Sequence, residues 1–356
     1  MPIIPLFGHR EIQERLSDAL ARNSLPASLL FQGPRGVGKQ RLALWLGQLL
    51  LCQSQTERPC GACQGCAFTL ELKHPDLHWY FPRPRLKDAD DLDAVKEDYA
   101  EAIAERAAAD GLYEPTSGVV GIYVATVRLI VQQAALSPAL AKRKVFVIGD
   151  AERMTPQEGT EFAANAFLKL LEEPPADTTI VLTSSEPGAL LPTVRSRVVS
   201  VRVPPLSPQE MQRFLSGARV AKRLNGDADV PRSDAERTSA AGGAPGRLLA
   251  GAAWSQAMDS ARRLLDAVSK RGGRYEAAWG QGASRARGGF AETLDALTVL
   301  LNERTRVAVR DGEDRSALGA TRAIEAVELA KERVASNVSP QLITVNLLNE
   351  LGALLG

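Results

Sequence analysis

A glycine-rich stretch, GPRGVGK at residues 33–39, has the spacing of a phosphate-binding loop. Four residues separate Gly33 from Gly38 and Lys39, and Gly36 lies between them. In such a loop the backbone N–H groups and the following helix N-terminus surround phosphate oxygens, while the lysine contacts the β- and γ-phosphates. A plain glycine-rich turn between a strand and a helix would show the same letters, but the flanking segments favour a nucleotide site.

Two positions that an ATP-hydrolysing enzyme needs carry other residues. Gln40 stands where a Ser or Thr hydroxyl would hold Mg²⁺, and a carboxamide must bend back to reach the metal. Asp150 ends an apolar run, as the acidic residue of a nucleotide site does, but Ala151 follows where a Glu would polarise the attacking water. Glu152 comes one residue later, and we expect it to point elsewhere as a solvated acid. The pattern predicts weak binding of Mg²⁺-nucleotide and no hydrolysis.

All cysteines of the chain lie within residues 52–66, in the spacing Cys-x7-Cys-x2-Cys-x2-Cys. Two-residue gaps let thiolates converge on one tetrahedral Zn²⁺, which can hold a loop that has no core of its own. Reduced, structurally idle thiols are the alternative. We expect the nearby His74 and His78 to be surface or packing residues rather than ligands. The predicted zinc ligands are Cys52, Cys60, Cys63 and Cys66.

Two further turns carry arginines. VRSR places Arg195 and Arg197 after a predicted strand, and GAPGR places Arg247 at a helix start. Exposed arginines usually belong to a solvated face, but at the edge of a nucleotide-binding domain one can reach the γ-phosphate site of a neighbouring subunit. For Arg247, helix capping and phosphate sensing are equally compatible with the sequence.

Short apolar runs alternate with segments of helical spacing up to about residue 203, which predicts a parallel sheet covered on both faces. The glycine-rich loop lies between the first run and a helix, as a phosphate-binding loop requires. Residues 83–117 are charged, and we predict an inserted, exposed helix there. From residue 204 onward the pattern is helical. The predicted strands are 28–32, 144–150 and 178–185, and the predicted helices are 9–22, 41–52, 122–136 and 161–173.

Composition excludes a general attraction to nucleic acid or to acidic membranes. The 356 residues include 43 Lys plus Arg and 42 Asp plus Glu, so any DNA contact must be local. The N-terminus lacks a basic segment followed by an apolar one, and no window reaches a membrane-spanning length of apolar residues. We therefore expect a cytoplasmic protein without a membrane partner, and in a reducing cytosol clustered cysteines favour a metal over disulfides.

The chain resembles the clamp-loader branch of the AAA+ ATPases in a series of segments and in their order along the sequence. These segments are GPRGVGK, CGACQGC, a strand ending in DAERM, NAFLKLLEEPP, LTSSEPGALLPTVRSR and GAPGR. More narrowly, they resemble the delta-prime subunits of bacterial DNA polymerase III. The likeness covers residues 1–250, and the last hundred residues match only as a helical region. It implies an α/β plus all-α fold: an AAA+ P-loop parallel sheet domain at 1–203 with a zinc module at 52–66 and the insertion at 83–117, a small helical lid at 204–252 and a C-terminal helical collar at 253–356.

The resemblance also implies a function. Delta-prime subunits do not hydrolyse ATP, and they lend an arginine to an adjacent ATPase subunit while the sliding clamp is loaded onto primed DNA. The family places this arginine in a Ser-Arg-Cys motif, which maps onto Ser196, Arg197 and Val198, with Val in place of Cys. The implied partners are gamma/tau and delta subunits in a pentameric ring, with the clamp and primer–template DNA reached through the complex. The implied cofactor is structural Zn²⁺, and ATP or ADP binding is left open.

Two other functions fit parts of the sequence. One is an ATP-hydrolysing gamma/tau-type subunit or another AAA+ ATPase, with Glu152 as a displaced base. Such an enzyme should keep a hydroxyl at position 40 and a Glu at position 151, and this chain has neither. The other is a zinc module with an incidental ATPase scaffold, which is difficult to reconcile with so short a cysteine segment in so large a fold.

Overall fold

The computed structural model describes residues 2–86, 91–113, 120–154, 161–269, 286–335 and 339–355. The chain divides into two compact units, Met1–Val220 and Ala221–Gly356. This division puts the first part of the predicted lid, residues 204–220, with the sheet unit. The three-domain scheme with boundaries after residues 203 and 252 stays a prediction.

A parallel sheet forms the centre of the first unit. Its five strands are β1 (Ser28–Gln32), β2 (Leu77–Tyr80), β3 (Lys144–Ile148), β4 (Thr178–Ser184) and β5 (Val199–Arg202). Their order across the sheet is β2-β3-β4-β1-β5, and every pairing is parallel. β3 and β4 are buried along their whole length, as strands covered on both faces must be. The predicted parallel sheet is confirmed, and the short strands β2 and β5 are additions to it.

Helices of the first unit begin and end close to the predicted positions. The glycine-rich loop leads directly into α2, so the predicted order of strand, loop and helix is confirmed. The helices are α1 (Arg10–Ala21), α2 (Lys39–Leu51), α3 (Gln64–Leu70), α4 (Leu92–Ala108), α5 (Val124–Ala135), α6 (Glu161–Glu172), α7 (Pro192–Arg195) and α8 (Pro208–Leu215).

The prediction of an exposed helix in the insertion is wrong in one respect, because one face of α4 is buried. The helix exists, but Val95, Tyr99, Ala102 and Arg106 are buried. These positions recur at the spacing of one helix face, and Tyr99 donates a hydrogen bond to the Phe81 carbonyl at 2.7 Å. The exposure prediction failed because the buried stripe contains an alanine and an arginine, which a search for large apolar residues does not detect.

The described residues of the second unit form helices and connecting turns, with no β-strand among them. Trp254, Phe290, Leu297, Val327 and Leu348 belong to one continuous apolar core among its long helices. None of the described helices of the chain is long and apolar enough to cross a membrane. In chain order, α9 (Ala218–Asn225) spans the division between the units, and α10 (Asp234–Ala241), α11 (Gly251–Ser269), α12 (Ala286–Arg310), α13 (Asp314–Ala335) and α14 (Pro340–Leu355) follow.

Asp76 ties the loop after α5 to the start of β2. Its carboxylate is almost fully buried and accepts hydrogen bonds from the backbone N–H groups of Ala139, Leu140 and Ala141. Burial opposes ionisation of this carboxyl, but the three donors outweigh it and lower its pKa. The ionised carboxylate therefore stabilises the edge of the sheet.

We expect Asp76→Ala to lower the free energy of unfolding by about 2–4 kcal/mol at neutral pH, because three buried N–H groups lose a charged acceptor. A carboxyl with a depressed native pKa stabilises fully above its unfolded pKa of about 4 and loses this effect as the pH falls through the native value. The difference between the two proteins should therefore narrow in acid. Urea unfolding at several pH values measures it, with Asp18→Ala as an exposed control. Equal effects of the two substitutions would refute the anchoring role.

Candidate functional site

The glycine-rich loop has the backbone of a phosphate cradle. Gly36 and Gly38 have φ angles of 83° and 98°, a left-handed conformation that favours glycine. At Gly33 the chain passes so close to β5's end that a Cβ would lie 2.1 Å from the Val203 carbonyl oxygen. Because Gly38 immediately precedes α2, the loop N–H groups and the helix N-terminus face the same space. The loop geometry therefore fits phosphate groups.

Lys39 is buried within this loop. Its ammonium donates to the carbonyl oxygens of Gly33 at 2.9 Å and Pro34 at 3.0 Å, and to the Ser185 hydroxyl at 2.8 Å. Ser185 directly follows β4, so the end of a neighbouring strand supports the lysine. A phosphate group would exchange for part of this hydrogen bonding.

Gln40 and Asp150 are brought together, as predicted for two halves of one site. Gln40 Nε2 donates to Asp150 Oδ2 at 3.2 Å, and Gln40 Oε1 accepts from Trp79 Nε1 at 3.0 Å. The carboxamide packs against Gly149, where an added Cβ would lie 2.5 Å from Gln40 Cδ. Asp150 itself has a left-handed backbone with φ 48°, and its N–H donates to Thr183 Oγ1 at 3.1 Å.

These residues do not fit a Mg²⁺ site. Mg²⁺ requires compact oxygen ligands in near-octahedral geometry and keeps several waters. Here the group that replaces the hydroxyl presents an amide nitrogen to Asp150, and its oxygen is occupied by the Trp79 indole. Turning the amide over would set Nε2 against the indole N–H, two donors facing each other. The position between the loop and Asp150 is therefore filled by hydrogen-bonded side chains.

The expectation that Glu152 points away from this site is wrong. Its Oε1 accepts from the backbone N–H of Ser185 at 3.0 Å, and the hydroxyl of the same serine holds Lys39. Its Oε2 has no hydrogen-bond partner among the described residues. The left-handed conformation of Asp150 and the short turn Ala151–Arg153 redirect the chain, which the sequence did not reveal. Burial, followed by the charge of Asp150, raises the pKa of Glu152 to about 7.

The cysteines form a second site between α2 and α3. All four Sγ atoms lie within 4.8 Å of one another. The Cys60–Cys66 and Cys52–Cys63 sulfur pairs are 4.0 and 3.9 Å apart, close to the edge of about 3.8 Å that a tetrahedron with Zn–S bonds of about 2.3 Å requires. The donor set, its spacing and its geometry all fit one tetrahedral metal ion. The predicted ligands are therefore brought together.

Backbone N–H groups surround the thiols. Burial opposes ionisation of Cys63, but N–H donors from Gln53 and Cys66, each 3.4 Å from its sulfur, outweigh it and lower its pKa to about 6. These donors favour the thiolate form that a metal requires. His74 is buried and accepts from the Asp76 N–H, and His78 stacks on Phe146, so both are packing residues as expected.

The predicted arginines lie in two different settings. Arg197 is partly buried, pairs with Glu172 and donates to the Thr193 carbonyl at 2.7 Å, whereas Arg195 is exposed on the same turn. In the second unit Arg247 is buried. It donates to the Ala241 carbonyl at 3.0 Å and its guanidinium carbon lies 4.9 Å from the Trp254 ring centroid. These contacts favour a structural role for Arg247, and its role at a nucleotide site stays a prediction.

The fold is that of a P-loop protein of the AAA+ type. A glycine-rich loop follows β1 of the parallel sheet, an acid follows β3, which β4 separates from β1, and the second unit is helical. The residues at its predicted nucleotide site depart from the motif at Gln40 and Ala151, and four cysteines that follow α2 can hold a metal ion. The chain belongs to the family described as DNA polymerase III, delta subunit, whose family model matches residues 8–207.

Curated relatives agree with this family and with the resemblance to delta-prime subunits. DNA polymerase III subunit delta' of Bacillus subtilis is 28% identical over 201 residues, 56% of this chain and 49% of that protein. Its Pseudomonas aeruginosa counterpart is 33% identical over 176 residues, 49% of this chain and 42% of that protein. DNA polymerase III subunit gamma/tau of Mycobacterium tuberculosis is 29% identical over 212 residues, 59% of this chain and 30% of that protein. The chain spans about half the length, or less, of these relatives.

The similarity of this chain to solved structures is weaker than its similarity to the curated relatives. A gamma subunit-related protein from Thermotoga maritima is 20% identical and is matched over 94% of this chain and 97% of that chain, with a TM-score of 0.34. A superposition of this quality supports no functional inference.

We expect elemental analysis to find about one Zn²⁺ per chain, because four converging thiolates match the tetrahedral preference of this metal. Cys63→Ser should lose most of the zinc and make the loop at residues 52–66 sensitive to proteolysis, while the second, helical unit unfolds as before. Ser54→Ala, in the same loop, is the matched control and should keep its metal. Metal-replete protein without zinc would contradict the assignment.

Proposed function

We propose that this chain acts as a delta-prime-like clamp-loader subunit that does not hydrolyse ATP and that lends Arg197 to a neighbouring ATPase subunit. It does so within a ring that includes gamma/tau and delta subunits and loads a sliding clamp onto primed DNA. The family match and the relatives named delta' support the general role. The single observation that carries the non-hydrolysing role is the hydrogen-bonded pair of Gln40 and Asp150 at the metal position.

The proposed arginine donor stands on a turn that is suited to contact another subunit. Exposed apolar side chains, Leu191 at 48% and Val199 at 51% exposure, flank Arg197 in the sequence. Arg197 itself is 26% exposed and rests on Glu172. A guanidinium offered in trans would exchange this surface ion pair for the γ-phosphate of the neighbouring site. Exposed ion pairs contribute only about 0–1 kcal/mol, so the exchange is energetically accessible.

One observation favours a second candidate, ATP hydrolysis by this chain with Glu152 as a displaced base. The carboxylate lies beside Ser185 and Lys39, and a pKa near 7 suits a general base at neutral pH. The residues at the metal position argue against it, because hydrolysis at such loops depends on a metal bridging the β- and γ-oxygens. We therefore prefer the non-hydrolysing role.

We expect the isolated chain to turn over ATP more slowly than about 0.1 per second, well below ordinary enzyme rates. The reason is the absence of a metal-binding hydroxyl at Gln40 and of an acid at Ala151. A phosphate-release assay measures this, with Glu152→Gln as the diagnostic variant. Faster turnover that Glu152→Gln abolishes would establish the second candidate instead.

In a complex reconstituted with its partner subunits, Arg197→Ala should lower DNA- and clamp-stimulated ATP hydrolysis. Arginines supplied in trans contribute roughly 10³–10⁵ in rate at a single site. The loss in the total rate should be partial because the other sites of the ring remain intact. Assembly, followed by gel filtration, should be unaffected.

Two matched variants sharpen this experiment. Arg197→Lys should rescue little, since a point charge lacks the planar fork of the guanidinium. Arg195→Ala, on the same turn, should hydrolyse ATP like the unmodified complex. If Arg197→Ala also behaves like the unmodified complex, this chain lends no arginine and acts as a passive ring member.

A further inference from the structure

The degenerate nucleotide site contains a cation that the sequence motifs did not reveal. Arg106, in the last turn of α4, is 8% exposed and has its guanidinium enclosed by aromatic rings. The guanidinium carbon lies 3.2 Å from the Phe81 ring centroid, 3.9 Å from that of Tyr113 and 4.6 Å from that of Trp79. Arginine over aromatic faces is a favourable way to keep a cation out of water.

Two of these rings also contact the side chain that fills the metal position. The Trp79 indole donates to Gln40 Oε1 at 3.0 Å, and the Tyr113 hydroxyl reaches the same oxygen at 3.5 Å. Gln40 Nε2 in turn donates to Asp150. Arg106, its aromatic surroundings, Gln40 and Asp150 therefore form one connected cluster at the carboxyl ends of β2 and β3.

Charge explains why a buried guanidinium is tolerated here. Burial lowers the pKa of Arg106, while the neighbouring Tyr113 and the carboxylate of Asp150 act in the opposite direction. A buried guanidinium without a counter-charge is costly, and the charge of the half-buried Asp150 carboxylate offsets part of that cost. Nη1 of Arg106 is buried and has no hydrogen-bond partner among the described residues, so the cluster retains a donor for a further acceptor.

We propose that Arg106 replaces the divalent cation of this P-loop site, so that the site binds the phosphates of a nucleoside di- or triphosphate without Mg²⁺. The positive charge opposite Asp150 comes from the inserted helix α4, and Gln40 closes the space between the loop and the acid. Lys39 lies within the loop, and the loop leads into the N-terminus of α2, where loops of this kind bind phosphates. The inference rests on the proposed non-hydrolysing role of this site and is independent of Arg197.

Calorimetric titration of the full chain with ATP and ADP, in Mg²⁺ and in EDTA, tests the proposal directly. We expect the dissociation constants in the two buffers to agree within about threefold. A site that uses the metal should differ by at least about tenfold, a gap that titration resolves easily. Binding at least about tenfold tighter in Mg²⁺, or no nucleotide binding in EDTA, would overturn the proposal.

Substitutions assign the effect to Arg106. Arg106→Met should weaken ATP binding in EDTA by about tenfold or more, whereas Lys96→Met, at an exposed position of the same helix, should leave it unchanged. The double variant Gln40→Thr/Arg106→Met should bind ATP more tightly in Mg²⁺ than in EDTA. If Arg106→Met binds ATP in EDTA like Lys96→Met, another group supplies the charge and the assignment is wrong.

Gln40→Thr alone keeps the proposal testable if Arg106→Met does not fold, as judged by zinc content and thermal unfolding. With Arg106 in place, a hydroxyl at position 40 should not create metal dependence. Mg²⁺-dependent binding by this single variant would refute a role for Arg106. None of these binding constants should change in Arg197→Ala, so failure of the proposed arginine donation and failure of this inference are distinguishable.

Discussion

The hydrogen bond between Gln40 and Asp150 joins the two halves of the site, and the rest of the site depends on it. A parallel sheet places the carboxyl ends of its strands at one edge, so the loop after β1 and the acid after β3 meet across β4. In a metal-using site the ion would hold these halves together. In this chain a carboxamide does so, fixed in one orientation by the Trp79 indole. Two side chains of the protein make this link, and no ligand takes part in it.

A link between side chains, in place of a metal ion, leaves the charge of Asp150 to be balanced by other residues. Asp150 is half-buried, and Arg106 is a buried cation whose charge interacts with it. Oε2 of Glu152 is buried without a hydrogen-bond partner in the part of the chain that the structure describes, and burial raises the pKa of this carboxyl to about 7, which limits the negative charge in the site. Helix α4 thereby contributes to the cluster around Gln40 and Asp150, although the sequence predicted an exposed insertion.

The parts of the fold that local sequence determines were predictable, and the parts that long-range contacts determine were not. The phosphate-binding loop and the cysteine site depend on residues close in sequence, so spacing alone indicated both. Asp76 contacts a loop more than sixty residues away, and Arg106 enters a cluster assembled from three separate segments. Glu152 was misjudged because its direction depends on a left-handed backbone at Asp150, a conformation that residue type does not specify. Ser185, which lies at the end of a predicted strand, was also not identified from the sequence. Because β4 is next to β1 in the sheet, this residue lies beside the glycine-rich loop and contacts Lys39.

Under the proposed function, the side chains that fill the metal position and Arg197 on the α7 turn act together. A ligand shifts a conformational equilibrium only when it binds the two states with different free energies. A site that lacks the γ-phosphate–metal contact has little means of distinguishing ATP from ADP, and it undergoes no hydrolysis that would alternate between them. The sheet that carries Arg197 would then keep one geometry throughout the cycle of its neighbour. For a residue that must meet transition-state charge within a fraction of an ångström, a scaffold insensitive to its own nucleotide is an advantage.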